Sequence, residues 1–327
     1  MFKGLKICIT GGTGSLGDAL TERLLKTDVE VIRIFSRDEW KQTEMQSKYK
    51  DNRLRFLIGD VRDSKRLDRA FEDIDIVIHT AALKHVPVTE YNPFEAVKTN
   101  VNGTQNVIDA CLINNVKQAL AIGTDKAVSP FNTYGATKLL MERLFISANQ
   151  YKGKHRTKFS CVRYGNVLGS RGSVVSVFMK QIEDNKKITI TDPTMTRFTI
   201  TMNQALDIIF RALKNGKGGE VFVPKLEAYR LGDLKDAIVE LLNAENKTEI
   251  ISVRVGEKYH ELLISVDELR NTFETKEDYI LIDKINNFAN INKNIKISQL
   301  KNAYSSDKVK ILSKNELKSM LIKEKII

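Results

Sequence analysis

The stretch ITGGTGSLG, residues 9–17, spaces three glycines at three-residue intervals, at Gly11, Gly14 and Gly17. It follows the apolar run Lys6–Thr10 and leads into Leu16–Leu25, whose apolar residues have helical spacing. Backbone amides and the helix N-terminus of such a strand, turn and helix can hold a pyrophosphate. A purely structural turn is the alternative, but the spacing and context favour a dinucleotide site. The residues predicted to contact the dinucleotide at this turn are Gly11, Thr13, Gly14, Ser15, Leu16 and Gly17.

Strand-like and helix-like segments alternate over the first two thirds of the chain, which predicts an α/β fold with helices on both faces of a parallel sheet. The predicted strands are Lys6–Thr10, Val29–Phe35, Leu54–Ile58, Ile74–His79, Gln118–Ile122 and Lys158–Tyr164. The predicted helices are Leu16–Leu25, Lys41–Tyr49, Lys65–Phe71, Glu95–Asn114 and Tyr134–Tyr151. This order indicates a doubly wound parallel sheet of the Rossmann type.

From about Gly169 the alternation loosens, which indicates a smaller substrate-binding lobe. We expect residues 1–168 to form the dinucleotide-binding domain and residues 169–327 mainly this lobe and a C-terminal tail, with later segments returning to the main sheet. The segment GKGGEVFVP predicts one returning strand, and a helix is predicted near Asn203–Lys214. After about Asp267 the chain is rich in Lys, Asn and Glu with weak periodicity, so no element is predicted there.

The composition is that of a globular protein: of 327 residues, 42% are hydrophobic and 28% are charged. No apolar run approaches the roughly 20 residues that cross a bilayer, and the first residues, MFKGLKICITGG, do not resemble a secretion leader. We therefore expect no membrane segment and a cytoplasmic location. Cys8, Cys111 and Cys161 lie in apolar runs without CxxC spacing or a histidine cluster, so we expect reduced core thiols and no metal site.

The chain is basic, with a net charge of +11 and a pI near 9.3. Its lysines are scattered, without a dense basic block interleaved with aromatic residues, which argues against a nucleic-acid partner. The positive charge suits polyanionic small molecules such as a dinucleotide and a nucleotide diphosphate, although a solubilising surface is an equally simple explanation.

The end of the second predicted strand bears on which dinucleotide is bound. A cofactor without a 2′-phosphate would normally meet an Asp or Glu there, whereas this chain has Ser36 and Arg37, with Lys41 one helical turn further on. These residues favour NADP over NAD. The alternative is that Asp38 or Glu39 reaches the ribose and that Arg37 is solvated surface.

Other loops at the carboxyl ends of the predicted strands supply further cofactor contacts. Asp60 and Val61 follow the third strand, where they can bond or cover an adenine. The remaining residues assigned to the cofactor are Ala81, Ala82, Lys84 and Asn100, together with Tyr134 and Lys138. His85 could face substrate or solvent, and a structural role is more common for a lone histidine.

The run AIGTDKAVSPFNTYGATK, residues 121–138, predicts the catalytic centre. Thr124 ends a strand, and Tyr134 and Lys138 are four residues apart, so they share one face of the next helix. An ammonium in this position can lower the pKa of a phenol and prepare it to accept an alcohol proton. Threonine, tyrosine and lysine together suit oxidation of a hydroxyl by a nicotinamide.

Asp125 and Lys126 are not needed for simple alcohol oxidation. Asp125, if protonated, would be a general acid for a departing hydroxyl, and Lys126, if neutral, would be a base for a proton beside a ketone. Both roles require shifted pKa values, which burial and Lys138 could provide. The alternative is that the two side chains form an ion pair between strand and loop.

Several residues beyond the sixth strand suggest a polyanion site in the smaller lobe, because arginines grip diphosphates with two hydrogen bonds. Any one of them alone would more often be surface, so the interpretation depends on the set. The residues assigned to substrate are Lys84, Thr124, Tyr134, Asn166, Arg171, Val174, Arg197, Arg254 and Glu257.

These motifs, together with FSRDEWKQTEM, GDVRD, AALKHVPVTEYNP, RYGNVLGSRGSV, MTRF and RVGEKYHE, resemble the extended short-chain dehydrogenase/reductase superfamily. Within it the chain resembles the UDP-N-acetylglucosamine 4,6-dehydratases, and in particular the soluble, configuration-inverting form that begins pseudaminic acid biosynthesis. The resemblance runs from about Ile7 to Ile264. Tyr134 supports the soluble inverting form, because a methionine replaces this tyrosine in membrane-fused relatives.

The resemblance implies a mechanism. The sugar is oxidised at C4 with bound NADP⁺ while Tyr134 helps to remove the hydroxyl proton. Lys126 then removes the C5 proton and Asp125 protonates the departing C6 hydroxyl, before hydride returns to C6 and C5 is reprotonated from the opposite face. Arg197, Arg254 and Glu257 would hold the UDP portion. The resemblance also implies a homo-oligomer, either a dimer or a hexamer.

Three other interpretations stay open at this point. A retaining 4,6-dehydratase would use the same residues with another outcome at C5. A nucleotide-sugar 4-epimerase or reductase would use Tyr134 and Lys138 but has no evident need for Asp125 and Lys126. A non-catalytic NADP-sensing scaffold on the same fold would be marked by loss of the tyrosine or the lysine, and both are present.

Overall fold

The protein is built around a mostly parallel sheet, seen here in a computed structural model that describes residues 1–282 and 295–327. The first strands are β1 (Lys6–Thr10), β2 (Val31–Ser36), β3 (Leu54–Ile58), β4 (Ile76–His79), β5 (Gln118–Ile122) and β6 (Lys158–Val162). They lie in the order β3, β2, β1, β4, β5, β6, and all five pairings are parallel. This confirms the predicted Rossmann-type α/β fold, because the strand order reverses direction beside β1.

The connecting helices match the predicted ones except over Glu95–Asn114, and the short helix over Val86–Tyr91 was not predicted. They are α1 (Ser15–Leu25), α2 (Glu39–Tyr49), α3 (Ser64–Phe71), α4 (Val86–Tyr91), α5 (Pro93–Ala96), α6 (Gly103–Ile113) and α7 (Thr133–Tyr151). The side chains of Asp38, Asp63 and Asn132 cap α2, α3 and α7 by accepting a hydrogen bond from a backbone N–H three residues later.

The single helix predicted over Glu95–Asn114 was wrong in its first part. The chain forms α5, then a π-helical turn at Val97–Asn102, and only then α6. Within this wider turn Asn100 is buried. Its side chain accepts from Leu83 N (2.8 Å) and donates to Leu83 O (2.9 Å) and to the hydroxyl of Thr137 (3.0 Å). These contacts lie far apart in sequence, so helical periodicity could not show them.

Segments from the second half of the chain extend the main sheet beyond β6. Here β10 (Glu220–Pro224) runs parallel to β6 and antiparallel to β15 (Asp278–Ile282), which is followed by β14 (Thr272–Glu274) and β16 (Lys296–Ile297). The strand predicted in GKGGEVFVP is therefore confirmed as β10. The region after Asp267, where no element was predicted, supplies β14, β15 and β16.

The remaining elements form smaller sheets and further helices. A three-stranded sheet joins β7 (Asn166–Val167), β9 (Thr196–Ile200) and β11 (Ala228–Arg230). Two shorter pairs join β8 (Ile188–Ile190) to β12 (Thr248–Ile250) and β13 (Leu262–Ile264) to β17 (Tyr304–Ser305). The helices are α8 (Val174–Glu183), α9 (Met202–Asn215), α10 (Leu231–Leu241) and α11 (Lys314–Lys323), and α9 confirms the helix predicted near Asn203–Lys214.

The buried apolar residues form two cores, and the larger one also takes in residues of β9, β13 and β17. The larger core fills the space between the main sheet and its helices, and includes residues of α9 such as Ile208. The smaller core is separate and is formed by α8, β8, α10 and α11, with Phe178, Leu234 and Leu317 among its members. Within residues 1–282 and 295–327, no helix combines the length and the apolar character needed to span a bilayer.

Cys8, Cys111 and Cys161 are buried free thiols of the larger core, as predicted. Burial raises the pKa of each, and that of Cys8 reaches about 12. They are therefore unreactive packing residues at neutral pH.

Candidate active site

A cavity of about 1130 Å³ lies along the carboxyl ends of the parallel strands and continues toward the smaller lobe. Its volume exceeds the roughly 300–1000 Å³ of a site for one drug-sized ligand. The glycine turn lines one end, Arg254 and Glu257 line the other, and Thr124, Lys126 and Tyr134 lie between them. The cavity therefore has room for a dinucleotide beside a second ligand.

The glycine turn between β1 and α1 leaves no room for side chains at two positions. Gly11 has a φ of +67°, and a Cβ on it would lie 2.8 Å from the backbone of Ala81. A Cβ on Gly17 would lie 2.3 Å from the carbonyl oxygen of Gly12. The first turn of α1 can thus approach the strand ends closely and present its backbone amides to an anion, which fits a dinucleotide pyrophosphate.

The structure places Arg171 at this glycine turn and not with the other arginines assigned to substrate. Its guanidinium donates to Thr13 O (3.0 Å, from Nη2) and to Ser15 Oγ (3.2 Å, from Nε). The Lys84 ammonium in turn donates to Arg171 O (3.0 Å). The loop that carries Arg171 therefore lies against the glycine turn, and Arg171 itself does not line the cavity, whereas its neighbours Ser170 and Gly172 do.

Ser36, Arg37 and Lys41 all line the cavity beside the end of β2. The Asp38 carboxylate is already engaged, since it caps α2 by accepting from Lys41 N (3.0 Å) and pairs with Lys41 Nζ (2.6 Å). Arg37 is half-exposed and lies 3.6 Å from Asp60. Asp38 lines the cavity as well, so both this carboxylate and the Lys41 ammonium paired with it are available to the ligand at the end of β2.

Asp60 and Asn100 have structural partners in addition to their predicted cofactor role. Burial tends to raise the pKa of Asp60, but its hydrogen bonds to Arg62 and the charge of Arg37 outweigh burial and lower it. Asn100, which was assigned to the cofactor, does not reach the cavity surface and instead fixes the backbone of Leu83. Asn100 therefore shapes the loop after β4 from behind.

Thr124, Tyr134 and Lys138 come together as predicted. The charge of Lys138, however, does not act on the Tyr134 phenol in the predicted way. Lys138 is buried and donates to Ile122 O (2.6 Å), and burial lowers its pKa to about 8. Burial also raises the pKa of Tyr134, an effect that Lys126 and a hydrogen bond with Thr124 only partly offset. The expected lowering of the phenol pKa by Lys138 is thus absent here, because the lysine is turned toward the strand backbone.

Asp125 and Lys126 form a single turn of 3₁₀-helix after β5, with Thr124 as its N-cap. Lys126 Nζ lies 3.1 Å from Asp125 Oδ1, 3.2 Å from Glu261 Oε1 and 3.3 Å from Asn166 Oδ1. Asp125 is fully buried, whereas Lys126 and Glu261 line the cavity. The ion pair considered as an alternative is therefore present, and it lies inside the proposed catalytic centre.

The two members of this pair respond differently to their surroundings. Burial raises the pKa of Asp125, which favours the protonated form that a general acid requires. Burial would lower the pKa of Lys126, but the carboxylates of Asp125 and Glu261 outweigh burial and raise it. The neutral lysine that a base requires is thus not the resting form, contrary to the expectation that burial would supply it.

Glu261 is the residue that sequence reasoning missed. It belongs to the segment RVGEKYHE, from which only Arg254 and Glu257 were selected. The signal available was its position directly before the apolar strand β13, since a glutamate that such a strand carries into the interior requires a partner.

In the smaller lobe, Arg197 and Glu257 pair with each other (3.0 Å) and line the cavity together with Arg254. Arg197 is almost fully buried and also donates to Tyr259 O (3.1 Å). Val174, at the start of α8, lines the same wall. Across the parts of the chain that the structure describes, no group of three or more His, Cys, Asp or Glu side chains is arranged to hold a metal ion.

Comparisons with known proteins agree with this architecture. The family model described as polysaccharide biosynthesis protein matches residues 7–283. A UDP-N-acetylglucosamine 4,6-dehydratase (inverting) of Campylobacter jejuni is 48% identical over 287 residues, which are 87% of this chain and 85% of the relative. A protein named UDP-glucose 4-epimerase from Rickettsia rickettsii is 39% identical over 98% of this chain and 96% of its own length.

Solved structures give the same picture. Pen from Bacillus thuringiensis superposes with a TM-score of 0.95 at 41% identity and covers 100% of this chain and 99% of its own. DesIV, a dTDP-glucose 4,6-dehydratase from Streptomyces venezuelae with NAD and TYD bound, shares the fold with a TM-score of 0.73 at 20% identity, over 78% and 87% of the two chains. The chain therefore belongs to the polysaccharide biosynthesis protein family, in which UDP-N-acetylglucosamine 4,6-dehydratases (inverting) are its relatives at 46–48% identity.

Proposed function

We propose that the protein dehydrates UDP-N-acetylglucosamine to UDP-2-acetamido-2,6-dideoxy-4-hexulose with inversion at C5, giving the β-L-arabino product, the first step of a pseudaminic acid type of sugar biosynthesis. One observation carries the proposal: an acid and an amine, Asp125 and Lys126, lie 3.1 Å apart beside Thr124 and Tyr134 in a cavity that accommodates two ligands. Oxidation of an alcohol accounts for Thr124 and Tyr134, whereas elimination of water accounts for Asp125 and Lys126.

The residues divide the reaction between them. When bound, the dinucleotide supplies reversible hydride chemistry, namely oxidation at C4 and reduction at C6. Thr124 orients the C4 hydroxyl and Tyr134 relays its proton to water in the cavity; because burial raises the pKa of Tyr134, its phenol gives up its own proton as it takes the new one. Once C4 is a ketone, the C5 proton is acidic; Lys126 removes it and Asp125 protonates the C6 hydroxyl, which leaves as water. Water on the opposite face of the ring then supplies a proton to C5, which gives the inverted product.

The hydrogen bond between Lys126 and Asp125 lets one proton prepare both groups. The charges of Asp125 and Glu261 raise the pKa of Lys126, so this amine starts as an ammonium and cannot act as a base until it loses a proton. Transfer of one proton from Lys126 Nζ to Asp125 Oδ1 produces a neutral base and a carboxylic acid together. After elimination Lys126 holds the C5 proton and Asp125 is again a carboxylate, so the ion pair is restored.

We propose NADP as the cofactor, bound with its 2′-phosphate near Ser36, Arg37 and Lys41. The support is that Arg37 and Lys41 line the cavity at the end of β2, where the Asp38 carboxylate is occupied by the helix cap. The cradle at Gly11 and Gly17, which a Cβ would fill, supports a nicotinamide dinucleotide in general.

Replacing Arg37 by alanine is expected to reduce the preference for NADP⁺ over NAD⁺ by about 10- to 100-fold, because a charge-assisted hydrogen bond contributes about 1.5–3 kcal/mol. Dissociation constants of both dinucleotides, measured by calorimetry, give the ratio. Arg69→Ala, an exposed arginine on α3, serves as the charge-matched control. A ratio unchanged in Arg37→Ala would assign that arginine to the solvated surface.

Replacing Arg171 by alanine is expected to weaken dinucleotide binding about tenfold or more and to leave the affinity for UDP nearly unchanged, because its guanidinium lies on the glycine turn. Arg254→Ala is the matched comparison and should show the reverse pattern, since Arg254 lines the far end of the cavity. If Arg171→Ala bound UDP more weakly but bound the dinucleotide normally, Arg171 would belong to the substrate site instead.

Proton NMR of UDP-N-acetylglucosamine incubated with the protein in deuterated water tests the function. We expect a new C6 methyl signal from a 6-deoxy-4-keto sugar, with ring couplings that show inversion at C5. The similarity to proteins named UDP-glucose 4-epimerase supports a second candidate, 4-epimerisation of a UDP-sugar. Interconversion with the galacto sugar and no methyl signal would favour that candidate and exclude dehydration.

We also propose that the protein acts in the cytoplasm as a homo-oligomer, a dimer or hexamer, with residues 1–168 mainly binding the dinucleotide and residues 169–327 mainly binding the nucleotide sugar. The smaller core of α8, β8, α10 and α11 supports a second lobe, while α9 and β10 from the later segment belong to the larger core. Sedimentation velocity at several protein concentrations would give the assembly, and a monomer throughout would exclude it.

A further inference from the structure

Glu261 is held rigidly in the wall of the cavity. Its backbone N–H donates to Ser306 Oγ (2.9 Å), and its carbonyl accepts from Ser306 N (2.9 Å), so the pairing of β13 with the β17 region fixes its position. Its side chain is 3% exposed. Oε1 lies 3.2 Å from Lys126 Nζ, while Oε2 is buried and has no hydrogen-bond partner among the described residues.

Charged and titratable groups face this carboxylate from several elements. Arg197 on β9 lies 3.9 Å away, and Lys258 approaches from the same segment as Glu261. Lys126 and Asp125 face it from the turn after β5. Tyr134 on α7 and Tyr229 on β11 interact with the same lysine. Burial would raise the pKa of Glu261, but Lys126 and Arg197 outweigh burial and lower it, so the group is a carboxylate at neutral pH.

A fixed carboxylate here acts on both partners of the catalytic pair. Its charge favours the protonated form of Asp125 by repulsion, and it favours the ammonium form of Lys126 by attraction. The same charge therefore makes Lys126 a stronger base toward the C5 proton and raises the proton affinity of both partners, so it retains the proton on the pair without by itself driving the transfer from Lys126 to Asp125. An ion pair of Asp125 and Lys126 alone would hold these protons less strongly.

We propose that Glu261 is a positioning residue for the elimination step, whose buried negative charge keeps the proton shared by Asp125 and Lys126 within that pair. The proposal rests on the proposed function for the identity of the elimination, but the protonation of the pair is a property of the protein without substrate. The proposed function and the assignment of Glu261 can therefore fail independently of each other.

The direct test is carbon NMR of protein with labelled aspartate carboxyls, titrated with pH and assigned with Asp125→Asn. In Glu261→Gln the titration midpoint of Asp125 is expected to fall by about 1–3 pH units, as for loss of a charge at this distance. Glu261→Asp withdraws the carboxylate from Lys126 and should lower the midpoint by less, which provides the test if the glutamine variant does not fold. An unchanged midpoint in a folded variant would overturn the proposal.

The activity test uses the pH dependence of methyl formation at saturating substrate. The pair of Asp125 and Lys126 is active when it holds one proton. Binding of a second proton removes the base, so the rate falls along the acid limb of the pH profile. Loss of the last proton removes the acid, so the rate falls along the alkaline limb. Removal of the Glu261 charge lowers both proton affinities, so both limbs should move to lower pH in Glu261→Gln. A lower rate with unmoved limbs would mean that Glu261 only packs, and would overturn the proposal.

Glu268→Gln is the matched control, because it replaces a partly buried glutamate, seven residues later, whose partner is Arg163. It is expected to lower stability without moving either limb. If the Asp125 midpoint moves in Glu261→Gln but the wild-type protein makes no methyl product, the proposed function fails while the assignment of Glu261 stands. If methyl product forms but neither the Asp125 midpoint nor the limbs move, the proposed function stands and the assignment of Glu261 fails.

Discussion

Lys126→Met is expected to slow dehydration by about 10²- to 10⁴-fold, the usual contribution of a positioned general base. Methionine keeps the length of the side chain but cannot accept the C5 proton. Oxidation at C4 depends on Tyr134 and Thr124 and should survive. The variant should therefore accumulate reduced nicotinamide and the 4-keto sugar, whereas the wild-type protein returns the hydride within each turnover.

Stopped-flow absorbance of the reduced nicotinamide, with NMR of the quenched sugar, separates the two steps. Lys152→Met is the matched control, since Lys152 is a partly buried lysine at the end of α7 that donates to Thr157 O (2.5 Å) away from the cavity. It should behave like the wild-type protein. If Lys126→Met formed the methyl product within tenfold of the wild-type rate, Lys126 would not be the base.

Arg163→Met is expected to lower the free energy of unfolding by about 3–5 kcal/mol, the usual cost of removing one partner from a buried ion pair. Arg163 is 1% exposed, pairs with Glu142 (2.5 Å) and Glu268 (2.8 Å), and donates to Leu263 O (2.9 Å). The variant would bury two carboxylates without their cation. This loss is large against a total stability of about 5–15 kcal/mol.

Urea unfolding at several pH values measures this effect. Burial raises the pKa of Glu268, but Arg163 outweighs burial and lowers it, so the stabilisation is present above the usual glutamate range and is lost on acidification. The difference between wild type and variant should therefore shrink at low pH, where the stranded carboxylates become protonated. Arg69→Met, at an exposed pair on α3, should stay within about 0.5 kcal/mol. A difference independent of pH would assign the effect to packing.

Most of the main sheet could be predicted from the sequence, because a parallel strand buried on both faces is a short continuous apolar run. Runs such as Ile7–Thr10 and Ala119–Ile122 are of this type. The added edge could not be predicted in the same way. Its strands β14 and β16 are short and carry residues such as Glu274 and Lys296 among the apolar ones, and edge strands commonly have mixed composition.

In the candidate site, too, residues that are close in sequence could be predicted to meet, whereas contacts between distant segments could not. Thr124, Asp125, Lys126 and Tyr134 lie within one short stretch, so spacing alone brought them together. Glu261 joins them only because β13 pairs with β17, which is more than forty residues later. The orientation of Lys138 toward Ile122 O likewise depends on how α7 packs on β5, and a four-residue spacing does not contain that information.

The position of β10 between β6 and β15 has a consequence for synthesis of the chain on the ribosome. The six parallel strands β1 to β6 can pair as soon as Val162 has been made, but the outer side of β6 has no neighbour until Pro224 has been added. At roughly 5–20 residues per second this interval lasts several seconds. During it the nascent chain presents an apolar strand edge, of the kind that recruits other unfolded chains or a chaperone.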